Sequence, residues 1–232
     1  MPRKLFIHIP KNGGMTIRKS PEIRERVVLA KPNMHISTQY TKDMHETMAL
    51  YGEHEGNEHA RWRDWNIALR HEYTAFAIVR NPWDRVFSRY LFAKKVMDFE
   101  GTQPKDYIDA SSLEAFIETR HQWADIKYFW HRAIKGWFPA FDYVSDEDGN
   151  CRCDILRFEH YNNDVKQYFG LLSDPEPRNV TRVPSKPKSG AGLYYKDIYN
   201  KETIQIVADW YKKDIDYWGF DFDTSATRNY WK

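Results

Sequence analysis

Residues 73–90, YTAFAIVRNPWDRVFSRY, carry the passage that decides the fold. Tyr73 to Val79 is short and nearly all apolar, the pattern of a strand buried on both faces. Asn81 then offers an N-cap and Pro82 a preorganised first helical residue. The helix they open carries Val86, Tyr90 and Ala93 on one stripe. Arg80 stands between the two elements, at the carboxyl end of the strand.

The neighbouring stretches repeat this alternation. Leu5 to Ile9 is a second apolar run, ended by Pro10, and Gly13-Gly14 leads into a segment able to turn helical. Val27 to Ala30, ended by Lys31-Pro32, reads as another strand. Thr38 to Tyr51 has Tyr40, Met44, Met48 and Tyr51 at near-helical spacing. Helical patterns follow at Leu113 to Thr119, Trp123 to Trp137, Asn162 to Leu171 and Lys201 to Tyr217. Phe141 to Val144, the turn Asp146 to Asn150 and Arg152 to Leu156 read as a hairpin, because Asp148-Gly149-Asn150 is strong turn chemistry. Strands alternating with helices predict an α/β fold, with a central mainly parallel sheet flanked by helices in three layers. No repeat, low-complexity tract or linker interrupts the chain, so one domain over residues 1–232 is expected.

Composition narrows the function classes. With 41% hydrophobic and 29% charged residues the chain is an ordinary globular one, and Lys+Arg 35 against Asp+Glu 33 leaves a net charge of only +2. No global field marks a nucleic-acid binder or a polybasic membrane ligand, so any anion site is local. Cys151 and Cys153, with one residue between them, fit disulfide geometry poorly and are too few for structural zinc, which predicts reduced thiols. No apolar run approaches the roughly 18 residues of a membrane span. Met-Pro-Arg-Lys passes straight into a strand-like segment with no signal-peptide core, so a soluble, cytoplasmic protein is expected. Aromatic residues reach 16%, with 9 Trp and 15 Tyr. That excess suits either an aromatic-rich core or rings lining a site.

In an open parallel sheet, ligands bind beyond the carboxyl ends of the strands. After the first strand comes HIPKNGGMT, residues 8–16. Gly13 and Gly14 let the backbone approach a phosphate, the next N–H groups point at it, and Lys11 supplies a cation. It is not a Walker A loop, which places its lysine after the glycines. Asn12-Gly13 is equally the favoured pair of a two-residue hairpin, with Leu5, Ile7 and Ile9 facing Met15 and Ile17. After the third strand, Arg80 and Ser88 near a helix N-terminus suit a second phosphate. The competing reading pairs Arg80 with Asp84 and leaves Ser88 as packing.

HIPKNGGMT followed some seventy residues later by VRNPWDRVFSRY resembles the two nucleotide-binding motifs of sulfotransferases that use 3′-phosphoadenosine-5′-phosphosulfate (PAPS). The similarity is closest to the heparan and chondroitin-type carbohydrate branch and its bacterial relatives. DGNCRCDILRFEHYNNDV, then YFGL, and the closing YNKETIQIVADWYKKDIDYWGFDF are similar to the rear half of that branch. The resemblance is weakest over Lys105 to Trp137. It implies a P-loop-type fold and sulfuryl transfer from PAPS to an acceptor hydroxyl, leaving 3′-phosphoadenosine-5′-phosphate (PAP), with no metal required. It implies that Lys11 meets the bridging oxygen as the sulfuryl group leaves and that Asn12, Gly13, Gly14, Met15 and Thr16 hold the 5′-phosphate. Arg80 and Ser88 would hold the 3′-phosphate. The family loop often reads PKTGGTS; Met15 lacks a hydroxyl, and Thr16 can keep the next one.

Lys31 to Ser37 leaves the second strand on the same sheet edge, and His35 is the one side chain there suited to neutral-pH proton abstraction. In relatives, a histidine followed two residues on by Ser or Thr occupies this stretch and looks like the general base. His45 is a weaker candidate and His8 is expected to be packed. Arg178, Arg182, Lys186, Lys188 and Lys196 lie in a stretch without acids, among Pro and Gly, which reads as a lid over a polyanion or as a solvated loop. Two other classes remain open: a magnesium-dependent P-loop phosphotransferase, which lacks its usual Ser/Thr and Asp metal ligands here, and a non-enzymatic carbohydrate or RNA-binding module using the aromatic rings. The expected partner is a small-molecule or carbohydrate acceptor; the sequence does not set the oligomeric state.

Overall fold

The computed structural model describes residues 2–30, 59–100, 110–118, 138–176 and 194–232. Strands β1 (Lys4–Ile7), β2 (Val27–Val28), β3 (Ala75–Val79) and β4 (Cys153–Arg157) form one sheet in the order β2-β1-β3-β4. Every neighbouring pair is parallel, with Leu5 opposite Val28, Ile7 opposite Ala77, and Val79 opposite Arg157. The chain leaves β1 to one side for β2 and returns on the other side for β3. The order therefore reverses between β1 and β3, and the crevice beyond their carboxyl ends is the ligand position of such sheets.

Strand alternation splits the core into two layers. Leu5, Ile7, Ala75, Ala77, Val79 and Ile155 face a cluster with Val86, Tyr90, Val207 and Trp218. Phe6, Phe76, Ile78 and Leu156 face Ile17, Ile23, Val165 and Phe169 on the opposite side. Side chains of successive strand residues point to opposite faces, and helices cover both, so the central strand β3 is apolar and buried at every position. Each fully buried large apolar side chain contributes about 1.5–3 kcal/mol relative to exposure.

Helices α1 (Gly14–Lys19) and α2 (Pro21–Arg24) connect β1 to β2, and α3 (Ile67–Glu72) precedes β3. Helix α4 (Pro82–Glu100) follows β3, as the Asn81-Pro82 pair predicts. The Asn81 side-chain oxygen accepts the Trp83 N–H at 3.0 Å and the Asp84 N–H at 3.3 Å, a true N-cap. Helix α5 (Leu113–Glu118) lies against α4, and α6 (Ala140–Val144) precedes β4. After β4 come a 3₁₀ turn (Phe158–His160), then α7 (Tyr161–Phe169), α8 (Tyr195–Ile198), α9 (Lys201–Trp210) and α10 (Lys212–Trp218). None of the described helices is long and apolar enough to cross a membrane.

Two sequence expectations change. The segment expected to be the first arm of a hairpin is helix α6; only Ser145 and Cys151 form an antiparallel bridge, and β4 pairs in parallel with β3. Ala140, Tyr143 and Val144 are buried at helical spacing, and the Asp214 carboxylate accepts the first N–H groups, from Ala140 at 2.7 Å and Phe141 at 2.8 Å. The turn reading itself holds: Asp146 accepts the Asp148 and Asn150 N–H groups, and Gly149 has φ 80. The single helix expected over Lys201 to Tyr217 is broken at Tyr211. Val207, Tyr211, Asp214 and Trp218 are all buried, so their spacing continues across the break and hides it.

Cys151 and Cys153 are free thiols, as expected. Burial raises both thiol pKa values, that of Cys153 well above its ordinary value. The expected helices over 38–51 and 123–137 lie outside the described residues.

Candidate active site

The β1–α1 connection turns sharply through two left-handed residues, Lys11 at φ 70 and Gly13 at φ 78. Gly13 is required twice over. A Cβ there would meet Tyr161 Cε2 at 2.9 Å and Phe158 Cε2 at 3.1 Å, besides the conformational cost of a left-handed side chain. A Cβ at Gly14 would collide with the ring of His8, itself buried and stacked on Phe6. The hairpin alternative for Asn12-Gly13 is thereby excluded, because Gly14 starts a helix and β1 has parallel partners on both sides.

Helix α1 has no side-chain cap at Gly13 and no acid in its first turn. Its leading N–H groups lack intrahelical acceptors, which leaves the positive end of the helix facing the crevice. Thr16 is buried, and its N–H reaches the Gly13 carbonyl at 3.1 Å. The Tyr161 hydroxyl donates to the same carbonyl at 3.3 Å, and burial raises its pKa. Asn12 is buried and donates from Nδ2 to the Ile78 carbonyl of β3 at 2.7 Å. Met15 is half-buried. The Lys11 ammonium lies 4.6 Å from the centre of the Phe92 ring.

Arg80 follows β3 directly and touches this loop. Its Nη1 donates to the Lys11 carbonyl at 2.9 Å, its Nε to Asp84 at 2.7 Å, and its guanidinium lies 4.0 Å from the centre of the Phe158 ring. The Asp84 pairing considered from sequence is therefore real. It uses Nε, the Lys11 carbonyl takes Nη1, and Nη2 keeps no hydrogen-bond partner among the described residues. Ser88 lies one helical turn beyond Asp84 on the same face, 8% exposed, its hydroxyl without a partner among the described residues.

Asn81 supports this arrangement. Its N–H donates to Glu159 at 2.6 Å, and its Nδ2 donates to the Asp221 carbonyl at 2.8 Å and the Thr224 carbonyl at 2.9 Å. Desolvation by neighbouring segments holds the Glu159 carboxyl above its ordinary pKa, against the opposing Asn81 hydrogen bond and Arg80 charge.

The structure thus brings the loop Lys11, Asn12, Gly13, Gly14, Met15 and Thr16 together with Arg80 at the β1/β3 crevice, and places Ser88 two turns into the helix that Arg80 precedes. His35 and His45 lie outside the described residues, as do Arg178, Arg182, Lys186 and Lys188; Lys196 pairs with Asp223 at 2.6 Å. Sequence reading assigned no role to Phe158, Glu159, Tyr161 or Arg85. Only Arg85 carried a usable signal: the Val86 and Tyr90 stripe places it and Arg89 beside the buried face.

No curated protein matches the chain. A protein-family model described as the sulfotransferase family does, over residues 5–221, nearly the whole length. That span includes both motif loops and, but for Lys4, all four parallel strands, so the chain belongs to the sulfotransferase family.

Proposed function

We propose that this sulfotransferase takes its sulfuryl group from PAPS and places it on an acceptor hydroxyl, that of a carbohydrate, by in-line displacement. The observation that carries the reading is the meeting of two anion-suited loops at one crevice, with the Arg80 guanidinium bonded to the Lys11 carbonyl at 2.9 Å. The residues present suit such a donor: an uncapped helix start, glycines that expose backbone, the remaining Arg80 guanidinium nitrogen and a serine hydroxyl.

Lys11 and the N–H groups of residues 12–16 stabilise negative charge growing on the 5′-phosphate oxygen as the bond from sulfur to that oxygen breaks. The acceptor oxygen forms the new bond to sulfur, and His35 takes its proton. Arg80 and Ser88 hold the 3′-phosphate and fix the reacting groups in line. Asp84 orients Arg80 without filling its fork. Tyr161 and Asn12 fix the loop from either side. A magnesium-dependent phosphotransferase is disfavoured by residue type: Asn12, not Ser or Thr, follows the lysine, and Arg80 replaces the strand-end acid.

The test is incubation with PAPS labelled in its sulfuryl group, in EDTA, with a panel of oligosaccharides. Label moving to an acceptor in step with PAP formation supports the reading. Absence of transfer, with magnesium-dependent ATP turnover instead, overturns it.

A further inference from the structure

Two arginines from one segment grip two consecutive carbonyls of the phosphate loop. Arg80 Nη1 donates to the Lys11 carbonyl at 2.9 Å, and Arg85 Nε donates to the Pro10 carbonyl at 3.1 Å. The residue between those carbonyls is Lys11, at φ 70, a left-handed conformation that a side chain with a Cβ adopts only at a cost. Returning Lys11 to negative φ would swing the flanking peptide units and break both contacts. Asn12 adds a third anchor through the Ile78 carbonyl at 2.7 Å.

Arg85 is an unusual residue to spend here. It is 0% exposed, its Nη1 donates to the Phe138 carbonyl at 2.8 Å, and its Nη2 is buried with no hydrogen-bond partner among the described residues. Arg89 is buried as well, and that burial, with the Arg85 charge and against Tyr211 and Tyr143, lowers the Arg89 pKa to about 10. An apolar side chain of similar size would avoid that desolvation. What it could not do is hold the Pro10 and Phe138 carbonyls.

We infer that Arg85 is a positioning residue that, with Arg80, locks Lys11 in its left-handed conformation, so that the phosphate loop is shaped before any nucleotide arrives. This deepens the proposed function and rests on it only for the identity of the ligand. Arg85 joins the loop to the backbone at Phe138, whereas Arg80 joins it to the start of α4.

The experiment compares wild type with Arg85→Lys, Lys11→Gly, Lys11→Ala and the Arg85→Lys/Lys11→Gly double variant, without ligand. Amide exchange over residues 11–15 should quicken about tenfold or more in Arg85→Lys, with residues 75–79 unchanged. The Tm lost to Arg85→Lys should be at most half as large in the Lys11→Gly background, since glycine needs no support there. Unchanged loop exchange, or equal Tm losses in both backgrounds, overturns the inference. If Arg85→Lys fails to fold, the remaining pair decides: Lys11→Gly should melt about 2–4 °C or more above Lys11→Ala, and equal or reversed order overturns the inference. A PAP titration of wild type separates the two claims. Coupling without PAP binding keeps the lock and discards the donor; PAP binding without coupling does the reverse.

Discussion

The Arg80 guanidinium donates to the Lys11 backbone carbonyl at 2.9 Å, although the two residues are 69 positions apart in sequence. The contact spans the β1/β3 crevice, where the sheet order reverses, and joins the ends of two strands whose own pairing fixes their separation. A lysine-led glycine loop and an arginine-led helix start thus meet at one edge of the sheet, where the proposed donor site lies. The proposed PAPS site depends on that junction.

Arg80→Ala should weaken PAP binding about 10- to 100-fold, the loss expected for hydrogen bonds to a charged group. AMP, which lacks the 3′-phosphate, should lose less than about threefold. Calorimetric titration of both nucleotides checks this; equal losses would place Arg80 elsewhere than at the 3′ end.

Lys11→Ala and His35→Ala should separate binding from chemistry. Each should lower turnover at saturating donor by about 10²- to 10⁴-fold, while His35→Ala leaves PAP affinity unchanged. Steady-state kinetics beside PAP titration is the check, and near wild-type turnover in His35→Ala removes the histidine from the mechanism.

Gly14→Ala drives a Cβ into the buried His8 ring and should destabilise by about 1–3 kcal/mol, with PAP binding lost in proportion to the displaced loop. Gly149→Ala meets no atom within 4 Å and carries only the strain of φ 80, so it should cost about 1 kcal/mol and leave PAP binding intact. Urea unfolding ranks the two; a larger cost at Gly149 contradicts the packing account.

Much of the fold was legible because its signals are local. The run Ala75 to Val79 is apolar at every position, and Asn81-Pro82 marks a helix start whatever surrounds it. The α6 helix was misread because Asp146–Asn150 turn chemistry is real but says nothing of the partner; Asp214, 74 residues beyond Ala140, supplies the helix's cap from outside. The motif loops were visible in sequence, whereas Phe158, Tyr161 and Arg85 act through packing and backbone contacts across strands. Such contacts leave no periodic pattern. Glycine spacing showed that the backbone bends at residues 13 and 14; it could not show that Lys11 also takes a left-handed conformation.

Asp214 gives the chain a pH signature. Burial holds its carboxyl up to about 6, from an ordinary 3.8, despite Arg85 and the Phe141 and Ala140 N–H groups pulling the other way. The folded state therefore binds the proton more tightly than the unfolded state, and this group's contribution to stability grows as pH falls through 6 toward 4. The stability of wild type minus that of Asp214→Asn should rise by about 1 kcal/mol between pH 7.5 and pH 5. A difference that shrinks over that range contradicts the assignment.

The most direct measurement of the central claim is a thermal-shift comparison of wild-type protein with PAP, AMP and ATP-Mg²⁺ at matched concentration. The account predicts that PAP raises Tm by several degrees, roughly as expected for a ligand at about 100 times its Kd, with AMP giving much less and ATP-Mg²⁺ no more than AMP. Stabilisation by ATP-Mg²⁺ with none from PAP would contradict it.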